Sequence, residues 1–133
     1  MTTKVTYLGN LRTESIHVKS NTTVLSDAPV DNNGKGETFS PTDLMSNALA
    51  QCVITIMGIK ANEKGWNIDG SKAEVTKIMG SNPRCVSEIK ITFLMKGDLD
   101  AKSKTILENA GKACPVSKSL HPDLIQNLEF IWE

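Results

Sequence analysis

Two of the three cysteines in this chain lie where thiol chemistry could occur. Cys52 is in the middle of a long apolar stretch, and Cys114 begins the run C-P-V-S-K-S-L, with Lys112 and Lys118 nearby. Because the thiolate is the nucleophile, the surroundings decide whether either sulfur reacts. Apolar burial would make Cys52 a small inert hydrophobe, whereas a helix N-terminus and nearby cations favour the Cys114 thiolate. The two can form a disulfide only if folding brings their Cα atoms within about 7 Å.

The third cysteine and the two histidines give weaker signals. Cys85 begins a predicted strand and is interpreted as a half-buried position without a role. Zinc binding is a weak alternative, because the chain has no C-x-x-C pair and His17 and His121 lie in different regions. The glycines on either side of Lys35 do not have the spacing of a phosphate loop. We therefore expect neither a metal nor a bound cofactor.

Two charged residues are further candidates. Arg12, one of only two arginines, is either a solvated charge in a hairpin or a fixed cation beside a thiolate. Arginine suits the second role because it stays protonated and holds carboxylates in a planar fork. Asp43 is either a helix cap or a functional carboxylate. It precedes Cys52 by nine residues, about 13.5 Å along a helix and half a turn round. Asp43 could therefore serve only the thiol of another chain.

A long helix between Ser40 and Gly65 is predicted to position these residues. Ser40 and Asp43 have the spacing of a capping box, and Gly65 suits the left-handed residue after a helix. Between them the helix is apolar almost all round, which indicates a buried helix, and it is too polar for a membrane span. Gly58 costs about 1 kcal/mol relative to Ala. Its presence suggests close packing against another backbone, including that of a second copy.

The rest of the chain predicts short antiparallel strands and two further helices. Three strands precede the helix, a hairpin follows it, and the chain ends with a helix, a short helix after Cys114 and a last strand. Asp98 or Asp100 is expected to cap the second helix, which runs through Lys112. The predicted strands are residues 4–8, 15–19, 22–25, 66–79, 85–95 and 124–132. The order βββ-α-ββ-αα-β indicates one α+β domain over residues 1–133.

The composition limits the kinds of molecule that the protein is expected to bind. Lysine plus arginine and aspartate plus glutamate are 15 each, so there is no basic field to bind nucleic acid or an anionic membrane. The N-terminus lacks the apolar segment of a signal peptide, and three cysteines are an odd number. These features predict a cytoplasmic protein whose cysteines are reduced, with neither nucleic acid nor a membrane as partner.

Three motifs together resemble the OsmC/Ohr family. Residues 39–44 (FSPTDL), followed by A-Q-C ending at Cys52, are similar to the P-x-E-L-L…C central helix of that family. The segment from Ala113 (ACPVSKSL) is similar to its later C-P-V-S turn, and the G-N-L-R run ending at Arg12 resembles its GG-x-R hairpin. The likeness covers nearly the whole chain in the right order.

The resemblance implies both an assembly and an activity. Family members form an intertwined homodimer with two long helices at its centre, and they are thiol peroxidases that reduce organic hydroperoxides. Carried onto this chain, Cys52 would be the peroxidatic cysteine and Cys114 the resolving cysteine, while Arg12 would hold the thiolate. A Cys52 sulfenic acid would condense to a Cys52–Cys114 disulfide, which an external dithiol reductant would reset.

The chain departs from the Ohr pattern after the motif proline. Thr42 stands where Ohr proteins have glutamate, and the acid is Asp43, one residue later and one methylene shorter. Glu37 is a second candidate for the carboxylate that orients Arg12. These departures leave an alternative open, a low-turnover dimer that binds an apolar ligand or acts in stress response without efficient peroxidase activity.

Overall fold

The computed structural model describes all 133 residues and has the predicted order of elements. Its six strands form two three-stranded sheets, which together with the helices confirm the α+β class. The strands are β1 (Thr3–Gly9), β2 (Arg12–His17), β3 (Thr23–Asp27), β4 (Lys72–Gly80), β5 (Cys85–Met95) and β6 (Ile125–Trp132). The helices are α1 (Pro41–Lys64), α2 (Ala101–Lys112) and α3 (Pro115–Ser119). The chain forms two compact units, Met1–Met45 and Ser46–Glu133. That both belong to one domain stays a prediction.

The first unit contains an antiparallel sheet in the order β1-β2-β3. Strands β2 and β3 are joined by a turn in which the His17 carbonyl accepts the N–H of Asn21 at 2.8 Å. The resulting register places Arg12 directly opposite Asp27. Because opposite residues of an antiparallel pair project to the same face, their side chains are neighbours. Strand β2 therefore begins three residues earlier than predicted and includes Arg12.

Helix α1 begins and ends as its sequence predicts. The Asp43 N–H donates to Ser40 Oγ at 3.0 Å, and the Ser40 N–H donates to Asp43 Oδ2 at 2.9 Å. These reciprocal bonds form the expected capping box. At the other end Gly65 has a φ of 72°, and the Trp66 N–H reaches back to the Ala61 carbonyl at 2.8 Å. This bond is the one that characterises a Schellman C-terminus.

Only one face of α1 is buried within the chain, so the all-round burial that the sequence predicts is not reached by one copy alone. The buried residues are Ser46, Leu49, Ala50, Val53, Met57 and Ala61. On the opposite face Gln51, Thr55 and Ile59 form an exposed stripe, and Ile59 is 51% exposed. A Cβ added to Gly58 would meet nothing within 4 Å, so its expected close contact is not made within the chain.

The apolar character of α1 also bears on the membrane prediction. Its most apolar 18-residue window has a mean hydropathy of 1.3. By length and composition alone the helix could therefore cross a membrane, so the expectation that it is too polar does not hold on this measure. A core helix of a soluble protein passes the same test.

The second unit contains the sheet β4-β5-β6. Strands β4 and β5 form the predicted antiparallel hairpin, but β6 runs parallel to β5, an exception to the expected antiparallel pairing. Helices α2 and α3 provide the crossover that a parallel pair requires. Strand β4 begins six residues later than predicted, because Gly70 has a φ of 84° and the Ser71 N–H closes a turn onto the Ile68 carbonyl.

The core of the second unit lies between its sheet and its helices. Phe93 is fully buried and stacks on Phe130 with ring centroids 4.9 Å apart. A Cβ on Gly111 of α2 would come within 2.9 Å of the side chains of Val53 and Met57. Helix α2 therefore needs glycine at this position to approach α1. The other fully buried large apolar side chains are Leu49, Val53, Met57, Ile89, Ile91, Met95 and Leu107.

Candidate active site

The second unit brings Cys52 and Cys114 together. Both are free thiols, and the Cys52 side chain is near enough to Cys114 to raise the pKa of Cys114. Gly111 explains how residues 62 positions apart meet. It packs directly against Val53, the residue after Cys52, and the Cys114 N–H donates to the Gly111 carbonyl at 3.1 Å. The close contact between α2 and α1 thus places Cys114 next to Cys52.

Cys114 occupies the N-cap of α3, as predicted. Its Sγ accepts a hydrogen bond from the Ser117 N–H at 3.4 Å, and Pro115 stands at the first helical position. Gln126 of β6 holds this turn, since its Nε2 donates to the Ser117 carbonyl at 3.0 Å while the Ser117 hydroxyl donates to its Oε1. Gln126 had no signal in the sequence, because a single glutamine in an alternating strand is usually a solvated residue.

The environment of Cys114 opposes ionisation, which corrects the expectation of a favoured thiolate. Burial is the main cause that raises the pKa of Cys114, and the contact with Cys52 raises it further. The Ser117 N–H acts in the opposite direction but does not prevail. The expected cation Lys112 instead places its Nζ 5.7 Å from the centre of the Phe130 ring. Cys114 is therefore a thiol that keeps its proton.

The first unit contains a carboxylate that sequence reasoning missed. Arg12 Nε donates to Asp27 Oδ1 at 2.7 Å, and Arg12 Nη2 donates to Asp27 Oδ2 at 2.8 Å. Asp27 also accepts the Glu37 N–H at 3.1 Å, and its side chain is only 2% exposed. The bonds from Arg12 are the main cause that holds the pKa of Asp27 below its usual value. The hairpin register was the signal that could have found this pair, because it aligns positions 12 and 27.

The two acids that the sequence offered as partners of Arg12 lie along one cleft in the same unit. Glu37 Oε2 accepts from Arg12 Nη2 at 3.3 Å, and the Glu37 side chain is 61% exposed. Asp43 accepts the Ser40 N–H in the capping box. An open cleft of about 470 Å³ is lined by Gly36, Glu37, Thr38, Phe39 and Asp43. Glu37 is thus a second, outer partner of Arg12, and Asp43 has the capping role.

Cys85 lies in a different part of the second unit. It begins β5 as predicted, but it is exposed rather than half-buried. It lines a cavity of about 430 Å³ together with His121 and Asp123. His121 Nδ1 accepts the Asp123 N–H at 3.0 Å, so the imidazole is held by its own turn. Nowhere in the chain do three histidine, cysteine or acidic residues come together as a metal site.

Known proteins resemble the chain over nearly its whole length. The family model described as OsmC-like protein matches residues 34–127. A crystal structure from Psychrobacter arcticus, provisionally named an osmotic stress induced and detoxification response protein, is 50% identical with a TM-score of 0.95. The match covers 98% of this chain and 96% of that one. Among curated proteins, none matches the sequence.

More distant structures share the fold. The organic hydroperoxide resistance protein OhrB of Bacillus subtilis is 22% identical, with a TM-score of 0.64 and 98% of each chain covered. An organic hydroperoxide resistance protein OsmC from Legionella pneumophila is 15% identical, with a TM-score of 0.69, and the match covers 96% of this chain and 93% of that one. At these identities the likeness establishes the architecture alone.

Proposed function

Because the chain belongs to the OsmC-like protein family, we propose that it is a cysteine-based peroxidase that reduces organic hydroperoxides. Structural neighbours named for organic hydroperoxide resistance support a role in peroxide stress. The observation that carries the finer proposal is the contact between Cys52 and Cys114, two free thiols from separate helices. A peroxidatic and a resolving cysteine need this proximity, because the second thiol must reach the oxidised first one.

The first step assigned to Cys52 is nucleophilic attack. Its thiolate attacks the distal oxygen of the hydroperoxide, an S–O bond forms and the O–O bond breaks. The departing alkoxide takes up a proton and leaves as the alcohol, so the peroxide is reduced and Cys52 becomes a sulfenic acid. The raised pKa of Cys114 supports its assignment as the resolving residue, since that thiol keeps its proton until the second step.

The later steps use Cys114 and an external reductant. The Cys114 sulfur attacks the sulfenic sulfur, the S–S bond forms, and the hydroxyl leaves as water with the Cys114 proton. A dithiol then reduces the disulfide by two exchange steps and is itself oxidised. Reducing dithiols of this kind are cytoplasmic, and we place the protein in that compartment. No bound cofactor takes part in the scheme.

Arg12 and a second copy of the chain complete the proposal. Arg12 would hold the thiolate electrostatically, because a guanidinium stays charged at every relevant pH. The exposed stripe of α1, which includes Ile59, supports a homodimer in which the two central helices pack together. An apolar surface at such an interface would favour alkyl hydroperoxides over hydrogen peroxide.

Counting thiols tests the peroxidase directly. Reduced protein mixed with one equivalent of tert-butyl hydroperoxide should lose two of its three free thiols per chain and gain a Cys52–Cys114 disulfide in peptide maps. The C85S variant is the matched control and should lose two thiols equally fast, because Cys85 lies outside the pair. Retention of all three thiols in the wild-type protein would reject the proposal.

A second candidate function is a low-turnover dimer that binds an apolar ligand. The capping role of Asp43 favours it, because the motif acid is engaged at the helix end. Such a protein would bind a fluorescent fatty acid with measurable affinity while dithiol-driven hydroperoxide turnover stays near the buffer rate. Turnover at enzymatic rates would exclude this alternative.

A further inference from the structure

Gln126 is a polar residue on the face of β6 that packs against the helices of the second unit. In the parallel register it pairs with Ile89 of β5, which is fully buried. Gln126, Leu128 and Phe130 are half-buried, and they alternate with exposed residues on the opposite face of the strand. A polar side chain on such a face costs free energy unless it is hydrogen-bonded. The position therefore suits an apolar residue, and the presence of glutamine calls for a reason.

Both polar atoms of the Gln126 side chain bond to the same residue of α3. Its Nε2 donates to the Ser117 carbonyl at 3.0 Å, and its Oε1 accepts the Ser117 hydroxyl. One bond goes to the main chain of Ser117 and the other to its side chain. Two bonds to one residue fix its orientation as well as its distance. The amide of Gln126 is thus fully used in holding Ser117.

Ser117 in turn holds the sulfur of Cys114, because its N–H donates to Cys114 Sγ at 3.4 Å. The other hydrogen bonds of α3 are local, such as that from the Lys118 N–H to the Cys114 carbonyl at 3.1 Å. A helix of five residues is not stable by itself. The bonds from Gln126 tie it to the sheet, so the position of the Cys114 sulfur depends on β6.

We propose that Gln126 is the positioning residue of the resolving step: through Ser117 it holds the Cys114 sulfur where it can attack oxidised Cys52. The inference rests on the proposed function, in which the Cys114 sulfur attacks the sulfenic sulfur of Cys52. In that step the S–S bond forms, the S–O bond breaks, and the hydroxyl leaves as water with the Cys114 proton. Losing the alignment should slow this step by about 10²-fold, as a misplaced reacting group typically does. The attack of Cys52 on the hydroperoxide should keep its rate.

The two steps can be timed separately in one experiment. Reduced protein is mixed rapidly with tert-butyl hydroperoxide and quenched with acid, and intact-protein mass spectrometry distinguishes the sulfenic acid from the disulfide. Q126L removes both bonds while suiting the core face, so the sulfenic acid should form at the wild-type rate and accumulate. Its conversion to the disulfide should slow by about 10²-fold.

A neighbour in the same strand provides the matched control. Asn127 also carries an amide, but it lies on the opposite face of β6 and its Nδ2 donates to Glu88 Oε2 at 3.1 Å. N127L should therefore leave both rates unchanged. S117A removes only the hydroxyl bond and should slow the second step less than Q126L does. The double variant S117A/Q126L should be no slower than Q126L, because the hydroxyl acts through Gln126.

Several outcomes would overturn the proposal. Disulfide formation in Q126L at the wild-type rate would show that the bonds do not position Cys114. An equal slowing of both steps in Q126L would indicate general damage to the fold, as would a slow second step in N127L. If Q126L failed to fold, S117A would decide the matter, since an unchanged second step in that variant would also contradict the role.

A peroxide-free oxidant separates this proposal from the peroxidase itself. Diamide closes a disulfide by accepting two electrons and two protons from a pair of thiols, and no sulfenic acid is needed. Q126L should slow the formation of the Cys52–Cys114 disulfide by diamide about tenfold, and N127L should not. If wild-type protein failed to reduce hydroperoxides while Q126L still slowed this closure, the peroxidase would fall and the positioning role would stand. An active wild-type enzyme with both rates unaffected in Q126L would give the opposite result.

Discussion

Cys114 lies in surroundings that oppose its ionisation. Burial and the neighbouring sulfur raise the pKa of Cys114, so one proton stays on that residue. In the proposed mechanism this S–H supplies the proton that leaves with the hydroxyl as water. Sequence reasoning identified both cysteines but expected the helix N-terminus and nearby lysines to favour a thiolate at Cys114. It failed there because helix-end effects are local, whereas burial depends on the whole fold.

Replacing Cys114 by serine separates the two oxidation steps. In C114S the Cys52 sulfenic acid has no resolving thiol, so it should persist and react with dimedone, giving one adduct per chain by mass spectrometry. Steady turnover with a dithiol should fall at least tenfold, since the reductant must attack the sulfenic acid directly. The C85S variant should give neither change. Rapid turnover in C114S without any trapped adduct would contradict the resolving role.

The buried Asp27 carboxylate predicts a loss of stability in acid. Its pKa in the folded protein lies below the value of about 3.9 in an unfolded chain, because Arg12 bonds the ionised form. The stabilisation is therefore complete above that unfolded value and disappears as the pH falls through the lower folded one. The urea midpoint of the wild type should fall between pH 6 and pH 2. The difference in midpoint between the wild type and D27N should shrink toward zero over the same range. D123N is the control, since Asp123 is 93% exposed.

Two results of the urea series would contradict this role of the Asp27 carboxylate. A constant difference between wild type and D27N across the whole range would mean that the ionised carboxylate does not stabilise the first unit. A D123N variant that lost its acid dependence would assign the effect to general charge rather than to Asp27.

At the scale of the elements, local signals predicted helix ends well and strand details less well. The ends of α1 followed from Ser40, Asp43 and Gly65, because caps depend on residues a few positions apart. The start of β4 was misplaced because Gly70 and Ser71 close a turn that alternation of residues does not reveal. The parallel β6 depends on where the crossover returns the chain, which no local pattern records.

The close approach of α2 to α1 depends on a glycine that the sequence did not single out. A Cβ at Gly111 would come within 2.9 Å of Val53 and Met57. We expect G111A to destabilise the protein by about 1–3 kcal/mol, as overpacking typically does, despite the better helix propensity of alanine. It should also slow formation of the Cys52–Cys114 disulfide, since Gly111 sets the path to Cys114. Chemical unfolding and thiol counting measure the two effects.

Gly58 provides the matched comparison within α1. A Cβ there meets nothing within 4 Å in the chain, so crowding inside one copy would not oppose G58A. Equal destabilisation of both variants in a monomeric protein would contradict the packing argument for Gly111.

At the scale of the whole molecule, the outer face of α1 is the part of the helix that the chain leaves uncovered. Helix residues Gln51, Thr55 and Ile59 recur every fourth position and are exposed, opposite the buried stripe of Leu49, Val53 and Met57. An apolar helix covered on one side only is unusual for a chain that stays monomeric in water. The sequence pattern alone predicted burial all round, and a second copy is the proposed source of the missing cover.

A single charge on that face tests the assembly. The chain has a mass of 14.5 kDa, and wild-type protein should sediment with about twice this value. I59E should shift it to the monomer, because one glutamate per chain would be desolvated at a helix–helix contact. V30E is the control, since Val30 is 74% exposed outside the helices α1 to α3, and it should remain dimeric. A wild-type monomer, or an I59E variant that dimerises as tightly as V30E, would mean that α1 does not form the interface.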